Sequence, residues 1–383
     1  MVNNTYGMAL SSNEFCTNDP GISELRDKLV VLSLISLEQM YNDGKKLFCF
    51  RAINNGNSII YENTSFRYTL ICLLGLRRCE INGIKSPVNI KIKDSISELI
   101  QKRNDFNNAG DLGLLLWLCS MFGSDYGYEV EDIVDILNRP EVFEKYDDVH
   151  NGSTMEMSWL LTGLLFFVLN RENPPEDLYE FCNKIYNLVV RNYGGKGVFA
   201  HCGGGRYFKR IRRHIASFAD QVYPIYALSL YSHVFKSDKA ADIVKKCSET
   251  ICRLQGPLGQ WWWHYNYNNG NVFENYPVYS VHQHGMAPMA LFANKKMTGL
   301  NYDREVINGL KWITGNNELG VNLVDELYHL VWRCVHTNKL NTCKNIAQNT
   351  IFNKNNYSTP KENLFILKEC WSYELGWLLY AIA

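Results

Sequence analysis

Residues 154–168 read TMEMSWLLTGLLFFV, and this stretch decides the fold. It carries one charged residue, Glu156, and is apolar on every side of a helix, so it predicts a helix buried all round. The same character recurs five times along the chain. These stretches are FRYTLICLLGL from Phe66, GDLGLLLWLCSMF from Gly110, FADQVYPIYALSLY from Phe218, VHQHGMAPMALFA from Val281 and LKECWSYELGWLLYAI from Leu367.

Amphipathic helices are predicted between the apolar ones, each with an apolar stripe opposite a charged face. Their first residues are Ser95, Glu131, Asp177 and Asp238. Six fully apolar helices that alternate with half-exposed ones indicate an inner ring wrapped by an outer ring. We therefore predict an all-α fold, an (α/α)6 toroid, with residues 1–383 as one domain and residues 1–24 as an extended or partly ordered N-terminal segment.

A polar residue precedes the body of each apolar helix by a constant offset of seven positions, as Glu156 precedes Gly163. The two lie on nearly the same helix face. A parallel inner ring would gather these leading residues at one mouth, where crowded carboxylates perturb one another's pKa values. The catalytic candidates are Asp220 and Glu156 as acid/base groups, Asp111 and Glu369 in support, and His282 as a proton relay.

Local helix-start chemistry offers a second explanation for the same acids. Acidic side chains in a first turn complement the helix dipole in any fold. Ser153 and Glu156 also form a capping box, which by itself would account for Glu156. The recurrence of an acid at four predicted helix starts favours a shared cavity over four separate caps.

Residues 261–285 read WWWHYNYNNGNVFENYPVYSVHQHG and concentrate aromatic and histidine side chains. Aromatic faces can stack on sugar rings or stabilise carbocations, although packing explains many of them equally well. His282 and His284 are two positions apart, so at most one points into a cavity. The substrate-binding candidates are Trp262, Trp263, Tyr265, Tyr279 and Gln283, together with Tyr223 of the preceding apolar helix.

Residues 194–217, GGKGVFAHCGGGRYFKRIRRHIAS, combine two glycine clusters with a basic run. Glycine permits backbone conformations that aim N–H groups at an anion. The segment predicts a phosphate or diphosphate grip at the cavity mouth, and a solvated loop whose arginines pair with acids is the alternative. The candidates are Arg206, Lys209, Arg210 and Arg213.

Composition excludes several classes of protein. The chain has 39 basic and 39 acidic residues, and this balance argues against a nucleic-acid binder. Its twelve cysteines include no CxxC pair, which indicates buried free thiols and a reducing compartment. Neither a signal peptide nor a transmembrane stretch is evident, so we expect a cytoplasmic protein.

Residues 254–263 read LQGPLGQWWW, in which Gln255, Gly259 and Trp261 fit a Q-x3-G-x-W pattern. This resembles the QW motif of squalene–hopene cyclases and related terpenoid cyclases. Those enzymes have α/α toroids, as do the β subunits of protein prenyltransferases. The resemblance implies a structural role for Gln255 and Trp261. Residues 278–293 also look like the prenyltransferase helix that presents a zinc-binding histidine, which implies His282 at that position.

The chain departs from both families in its catalytic motifs. It contains no DxDD and no D-x-C, so Asp220, Cys202 and His282 make only a loose substitute for a zinc set. The sequence requires no cofactor and leaves zinc and magnesium open. Six-hairpin glycosidases and some uronate-active enzymes share the toroid, and a ring of carboxylates fits them comparably well.

Three functions follow, in order of preference. The first is an enzyme acting on an isoprenoid or another phosphate-bearing amphiphile in an aromatic-lined cavity. The second is a cytoplasmic carbohydrate-active enzyme, namely a glycoside hydrolase, lyase or epimerase, and the third is a non-catalytic scaffold. The expected partner is a small-molecule or lipid-linked substrate and not a nucleic acid, and the sequence makes no prediction of oligomeric state.

Overall fold

A computed structural model of the chain describes residues 19–106, 108–123, 133–134, 137, 153–171, 173–203, 213–337 and 360–383. The α-helices of these residues are α1 Pro20–Met40, α2 Phe66–Ile81, α3 Ile92–Gln101, α4 Ala109–Phe122, α5 Thr154–Leu169, α6 Glu176–Val190, α7 Ala219–Phe235, α8 Asp238–Arg253, α9 Ala287–Thr298, α10 Asp303–Ile313 and α11 Ser372–Ile382. A π-helical segment, His282–Met286, runs directly into α9.

The apolar helices form a closed inner ring. In order around it, α2, α4, α5, α7, the π segment with α9, and α11 each pack against the next, and α11 returns to α2. The amphipathic helices pack outside: α1 on α11, α3 on α2, α6 on α5, α8 on α7 and α10 on the π segment. All fourteen residues of α4 are buried, as expected of a helix with neighbours on every side. The (α/α)6 toroid is therefore confirmed.

Glycine lets neighbouring inner helices touch backbone to backbone at two places. A Cβ on Gly163 of α5 would lie 2.2 Å from the carbonyl oxygen of Gly113 of α4. A Cβ on Gly75 of α2 would lie 2.4 Å from that of Gly376 of α11. Because a side chain at either place would separate the helices, the small residues of the apolar stretches keep the ring tight.

Short strands fill the connections that lead into the inner helices. Those in the described residues are β1 Tyr41–Asn42, β2 Leu47–Phe48, β3 Arg51–Asn54, β4 Ile59–Glu62, β5 Ile215–Ser217, β6 His264–Asn266, β7 Asn271–Glu274, β8 Val278–Tyr279, β9 Val324–Asp325, β10 Leu330–Val331, β11 Cys334–Thr337, β12 Leu364–Leu367 and β13 Glu369–Trp371. They form three three-stranded sheets, β12-β11-β8, β13-β3-β4 and β5-β6-β7, and two further pairs. Strands this short leave no alternating pattern in the sequence.

Buried aromatic side chains block the ring at the C-terminal half of its helices. The ring of Trp117 lies 5.4 Å from Tyr226, 5.9 Å from Trp377 and 5.2 Å from Tyr380 between centroids. The hydroxyl oxygens of Tyr226 and Tyr380 are 2.6 Å apart. We call these four residues, each at most 2% exposed, the aromatic plug.

Other expectations can be compared with the described residues directly. The cysteines among them are free thiols, and all but Cys252 are buried, as predicted. None of the described helices is long and apolar enough to cross a membrane. Helix α1 begins at Pro20, where Asp19 caps it, so residues 20–24 are helical and not extended as expected.

Candidate active site

A cavity of about 320 Å³ opens at the N-terminal end of the inner ring, above the aromatic plug. Its walls come from the first turns of α2, α5, α7, the π segment and α11, so the helix starts do meet at one mouth. Its charged and imidazole side chains are Arg67, His201, Asp220, His282 and Arg333. Its aromatic side chains are Tyr68, Trp159, Tyr223, Trp263, Tyr279, Tyr373 and Trp377. Asp220 is the only carboxylate among the described residues that line it.

The acids at the helix starts occupy the same position of the first turn. Asp111 and Glu156 each come three residues after the side chain that caps the helix, and their backbone N–H groups donate to Asn108 and Ser153. The Asp220 N–H donates to Ser217 Oγ in the same way. These acids thus take part in local helix capping and also occupy equivalent positions at the starts of their helices.

The prediction for Glu369 is wrong, because α11 begins at Ser372 and Glu369 lies in strand β13. There its carboxylate binds Arg51 at 3.1 Å and accepts from the Trp371 indole at 2.9 Å, away from the cavity. The first-turn acid of α11 is Glu374. Glu369 was chosen because it lies seven residues before Gly376, the small residue of this helix. The short strand that precedes the helix has no recognisable sequence pattern, so the start of the helix was placed too early.

Arg67 binds two of the predicted catalytic acids at once. Its Nε and Nη2 donate to the two oxygens of Asp111 at 2.5 and 3.1 Å, and Nη2 also donates to Glu156 at 3.1 Å. Burial raises the pKa of Glu156, Arg67 opposes the shift, and Asp111 adds to it. Neither acid lines the cavity, because the guanidinium of Arg67 lies there instead.

Arg333 plays the corresponding part beside α11. Its Nη1 donates to Glu374 at 2.5 Å, and its guanidinium lies over the rings of Trp371 and Tyr279 at 3.3 and 4.9 Å. Burial raises the pKa of Glu374 to about 7 even though Arg333 opposes the shift. This second ion pair is 7% exposed at Arg333 and 1% at Glu374.

Among the described residues, Asp220 has no arginine partner. Its Oδ2 accepts from Ser217 N–H and Oγ–H at 2.8 Å and lies 2.9 Å from His201 Nδ1. Burial alone would raise the pKa of Asp220, but His201 and Ser217 together hold it below its usual value. Oδ1 is buried and makes no hydrogen bond within the described residues.

His282 occupies the place of Asp220 on the next inner helix. Each is followed by a glutamine that bonds to the backbone of the preceding segment, Gln221 at Phe199 and Gln283 at Trp261. Burial lowers the pKa of His282 to about 3, so its imidazole is neutral at physiological pH. Its Nδ1 lies 3.3 Å from the Trp261 carbonyl. Because a carbonyl only accepts, Nδ1 carries the proton and Nε2 keeps its lone pair.

The predicted binding residues divide between cavity and core. Trp263, Tyr223 and Tyr279 line the cavity. Three others do not, because each is committed to packing or backbone bonds: Trp262 donates to the Leu254 carbonyl at 2.9 Å, Tyr265 is fully buried beneath Phe218, and Gln283 holds Trp261.

Of the four cations predicted to grip a phosphate, the structure describes one. Arg206, Lys209 and Arg210 lie outside the described residues. Arg213 is described, and its guanidinium lies 5.4 Å from the ring centroid of Tyr267, away from the cavity lining. Arg213, the one described candidate for the phosphate grip, therefore does not line the cavity.

Sequence reasoning missed Arg67, His201 and Arg333, although two of them carry a signal. Arg67 is a charge at the start of an otherwise apolar helix, and Arg333 interrupts the run LVWRCV. A charge placed inside apolar sequence is retained only when it is paired. His201 gives no such signal, because it lies in a glycine-rich loop.

Among the described residues, no group of three His, Cys, Asp or Glu side chains lies close enough together to hold a metal ion.

The two residues of the QW resemblance are held by other contacts. Gln255 donates to the carbonyls of Gly259 and Glu305, and Trp261 is fully buried. Both residues are therefore engaged in backbone bonds or packing, and neither lines the cavity.

No protein-family model matches this chain, and a search of curated proteins finds no relative. Its fold is similar to that of solved unsaturated glucuronyl hydrolases. The enzyme from Streptococcus agalactiae is 12% identical, with a TM-score of 0.56 over 94% of this chain and 90% of that one. The enzyme from Bacillus sp. GL1 is 12% identical, with a TM-score of 0.58 over 93% and 96%.

A GH76A α-1,6-mannanase from Salegentibacter sp. HEL1_6 is also similar, at 15% identity and a TM-score of 0.51 over 94% of this chain and 97% of that one. At such identities the likeness shows the fold alone, the (α/α)6 toroid. The expectation of a terpenoid cyclase or prenyltransferase gains no support from these comparisons.

Proposed function

We propose that this chain is a carbohydrate-active enzyme that binds the end of a glycan in the central cavity. The observation that carries the proposal is the cavity itself, where Asp220, the one carboxylate among its described lining residues, stands among aromatic side chains. The cavity volume of about 320 Å³ is at the lower end of the range for small-molecule sites. Flat aromatic faces suit the apolar faces of sugar rings, and the similar solved structures are glycan hydrolases.

Charge balance speaks against a diphosphate. Arg67 is shared by two carboxylates and Arg333 is paired with one. With Asp220 ionised as well, the described groups around the cavity carry no positive excess to hold a multiply charged headgroup. A neutral sugar, or one with a single carboxylate, fits this balance better than the isoprenoid diphosphate favoured by the sequence.

Arg67 still has a donor to offer a substrate. Its Nη1 makes no hydrogen bond within the described residues, while Nε and Nη2 are engaged with Asp111 and Glu156. Nη1 can donate to a hydroxyl or carboxylate oxygen of a bound sugar. Glycans that end in a uronate are therefore the first substrates to test.

Proton transfer is assigned to Asp220 and His201. The lowered pKa of Asp220 keeps the carboxylate ionised, and Oδ1, which has no hydrogen-bond partner among the described residues, is the oxygen left to accept a proton. His201 lies at hydrogen-bond distance from Oδ2 and lines the same cavity, so the pair can hold and pass on that proton. The neutral His282 supplies an acceptor at Nε2 for a sugar hydroxyl or water. Elimination, epimerisation and hydrolysis through one acid/base centre all fit this arrangement.

The test is turnover of defined compounds by the purified chain. Unsaturated glucuronyl disaccharides, saturated uronate disaccharides, α-1,6-linked mannotetraose and farnesyl diphosphate would each be incubated with wild type and Asp220→Asn, and the products separated by chromatography. We expect turnover of a saccharide that Asp220→Asn loses. Turnover of farnesyl diphosphate, or equal saccharide turnover by both proteins, would overturn the proposal.

Retention of saccharide binding with no turnover by wild type favours the third function, a binding scaffold. Cytoplasmic localisation stays a prediction, which cell fractionation with an antibody to the native chain would check.

A further inference from the structure

A second buried histidine–carboxylate pair lies directly behind the cavity wall. In the sheet β5-β6-β7, Ser217, His264 and Glu274 stand side by side in register. The Nδ1 of His264 bonds to the carboxylate of Glu274. Glu274 is 3% exposed and His264 is 8% exposed. Neither residue lines the cavity, and the proposed proton transfer uses neither.

This pair contacts the cavity through one aromatic ring. The imidazole of His264 stacks on the indole of Trp263 with centroids 4.0 Å apart and planes 21° apart. Consecutive residues of a regular strand point to opposite faces of the sheet. Stacking between Trp263 and His264 therefore requires the backbone to deviate locally from regular strand geometry. Trp263 lies in a bend before β6, and the register shifts between His264 and Tyr265.

The rest of Trp263 is held as well. Its carbonyl accepts from the Phe218 N–H at 2.6 Å, which ties it to the start of α7 beside Asp220. The edge of Tyr279 meets its indole at 5.3 Å and 80°. The bond to Glu274 restricts rotation of the His264 ring about its χ2 torsion, because one ring nitrogen is held. Since the Trp263 indole stacks on this imidazole, the orientation of the imidazole sets the plane of the indole.

We propose that His264 and Glu274 are positioning residues that set the plane of Trp263 as a sugar-binding face of the cavity. The proposal rests on the proposed function, since it takes the cavity ligand to be a sugar. Their row in the sheet also includes Ser217, the donor to Asp220. One short sheet would thus align the binding face with the acid/base centre.

The first experiment needs no ligand. In protein labelled with 5-fluorotryptophan, the fluorine resonance of Trp263 is assigned by its loss in Trp263→Phe. We expect Glu274→Leu, which removes the carboxylate that binds His264 Nδ1, to shift or broaden that resonance. Glu274→Gln keeps an acceptor oxygen and should restore a spectrum close to wild type.

A matched control is His336→Ala, which removes another stacked imidazole, 5.5 Å from Phe365 and outside the cavity lining. It should leave the Trp263 resonance in place. An unchanged Trp263 resonance in Glu274→Leu, or an equal change in His336→Ala, would overturn the positioning role.

The second experiment uses whichever saccharide of the turnover panel is consumed. Glu274→Leu should raise KM about three- to tenfold, the size of an aromatic contact, and leave kcat near wild type. In a Trp263→Ala background the same change should have no further effect on KM, because the ring that it positions is gone. Additive effects on KM would contradict the proposal. If no saccharide is consumed, the proposed function fails while the fluorine spectra still decide the positioning role.

Discussion

Asp220 and Glu156 stand at the same first-turn position of neighbouring inner helices, yet their surroundings differ completely. Glu156 shares Arg67 with Asp111 and lies behind it, outside the cavity. Asp220 lines the cavity, and within the described part of the chain it has hydrogen-bonding partners on one oxygen, none on the other and no arginine. The fold places acids at helix starts repeatedly, and the partner of each acid separates an ion pair from an acid/base candidate.

The pKa directions follow from the same difference. Burial raises the pKa of Glu156 beyond what Arg67 can offset, whereas His201 and Ser217 more than offset burial at Asp220. Desolvation is common to both sites, so the neighbouring charges and then the hydrogen-bond donors around each carboxylate decide the sign. The predictions below test this contrast.

The largest effect is expected from Asp220→Asn. The amide keeps the shape and can still accept from Ser217, but it cannot take up a proton, so kcat on the active saccharide should fall by about 10²- to 10⁴-fold. Steady-state kinetics measures the loss, and circular dichroism verifies the fold. Glu156→Gln is the counterpart, and a comparable fall in kcat there would erase the distinction between the two acids.

Arg67→Ala should act mainly on stability. It leaves the buried carboxylates of Asp111 and Glu156 unpaired, and we expect the free energy of unfolding to drop by about 2–4 kcal/mol, allowing for the partial exposure of Arg67. Urea denaturation measures the change. Arg67→Lys keeps the charge and should recover part of the loss, and an Arg67→Ala protein as stable as wild type would show that the cluster contributes little.

The pH dependence of stability should carry the signature of Glu374. The folded protein holds this proton up to pH about 7, whereas the ordinary pKa of a glutamate in an unfolded chain is about 4.5. Between these values the unfolded state binds fewer protons, so the free energy of unfolding falls as pH rises through the window and levels off above it. Relative to Glu374→Gln, wild type should lose about 3 kcal/mol of unfolding free energy across this pH window.

Denaturation of both proteins from pH 4 to 8 checks this slope. Asp220 contributes with the opposite sign, because its folded pKa is depressed below 3.8 and its stabilisation is lost only as pH falls through that region. Parallel curves for wild type and Glu374→Gln would contradict the shift at Glu374.

The smallest effect separates two adjacent tryptophans. Trp263→Ala should raise KM about tenfold with kcat little changed, because a cavity-facing ring is lost. Trp262→Phe removes a buried indole bond to Leu254 and should cost about 1 kcal/mol of stability without affecting KM. A rise in KM confined to Trp262→Phe would reverse the division between cavity and core.

Much of the toroid could be predicted because its signal is repeated. Stretches such as residues 154–168 are apolar on all faces, and only an inner ring surrounded by other helices buries them. Close glycine contacts such as that of Gly163 could be expected from the small residues in those stretches. Strands of two to four residues gave no comparable pattern, and the misplaced start of α11 followed from that gap.

The site was harder to predict, because side-chain partners come from distant parts of the chain. Asp220 and His282 were found through their helix positions, but Arg67 binds an acid 89 residues away and Arg333 one 41 residues away. Adjacent tryptophans separated into cavity and core through a bend in the backbone. Ion pairs such as those of Arg67 and Arg333, and the orientation of the two tryptophans, depend on how distant segments meet in the folded chain. A local sequence pattern does not contain this information.

The aromatic plug gives the cavity a floor, and a floor has a consequence for what can be degraded. With Trp377 shared between cavity and plug, a chain that enters cannot pass through the ring. On a polymeric glycan, such a blind pocket admits only a terminus, so each encounter would release a small unit and leave the interior bonds of the polymer untouched. Product size over time, followed on a long substrate, should therefore show trimming from an end and no intermediate fragments.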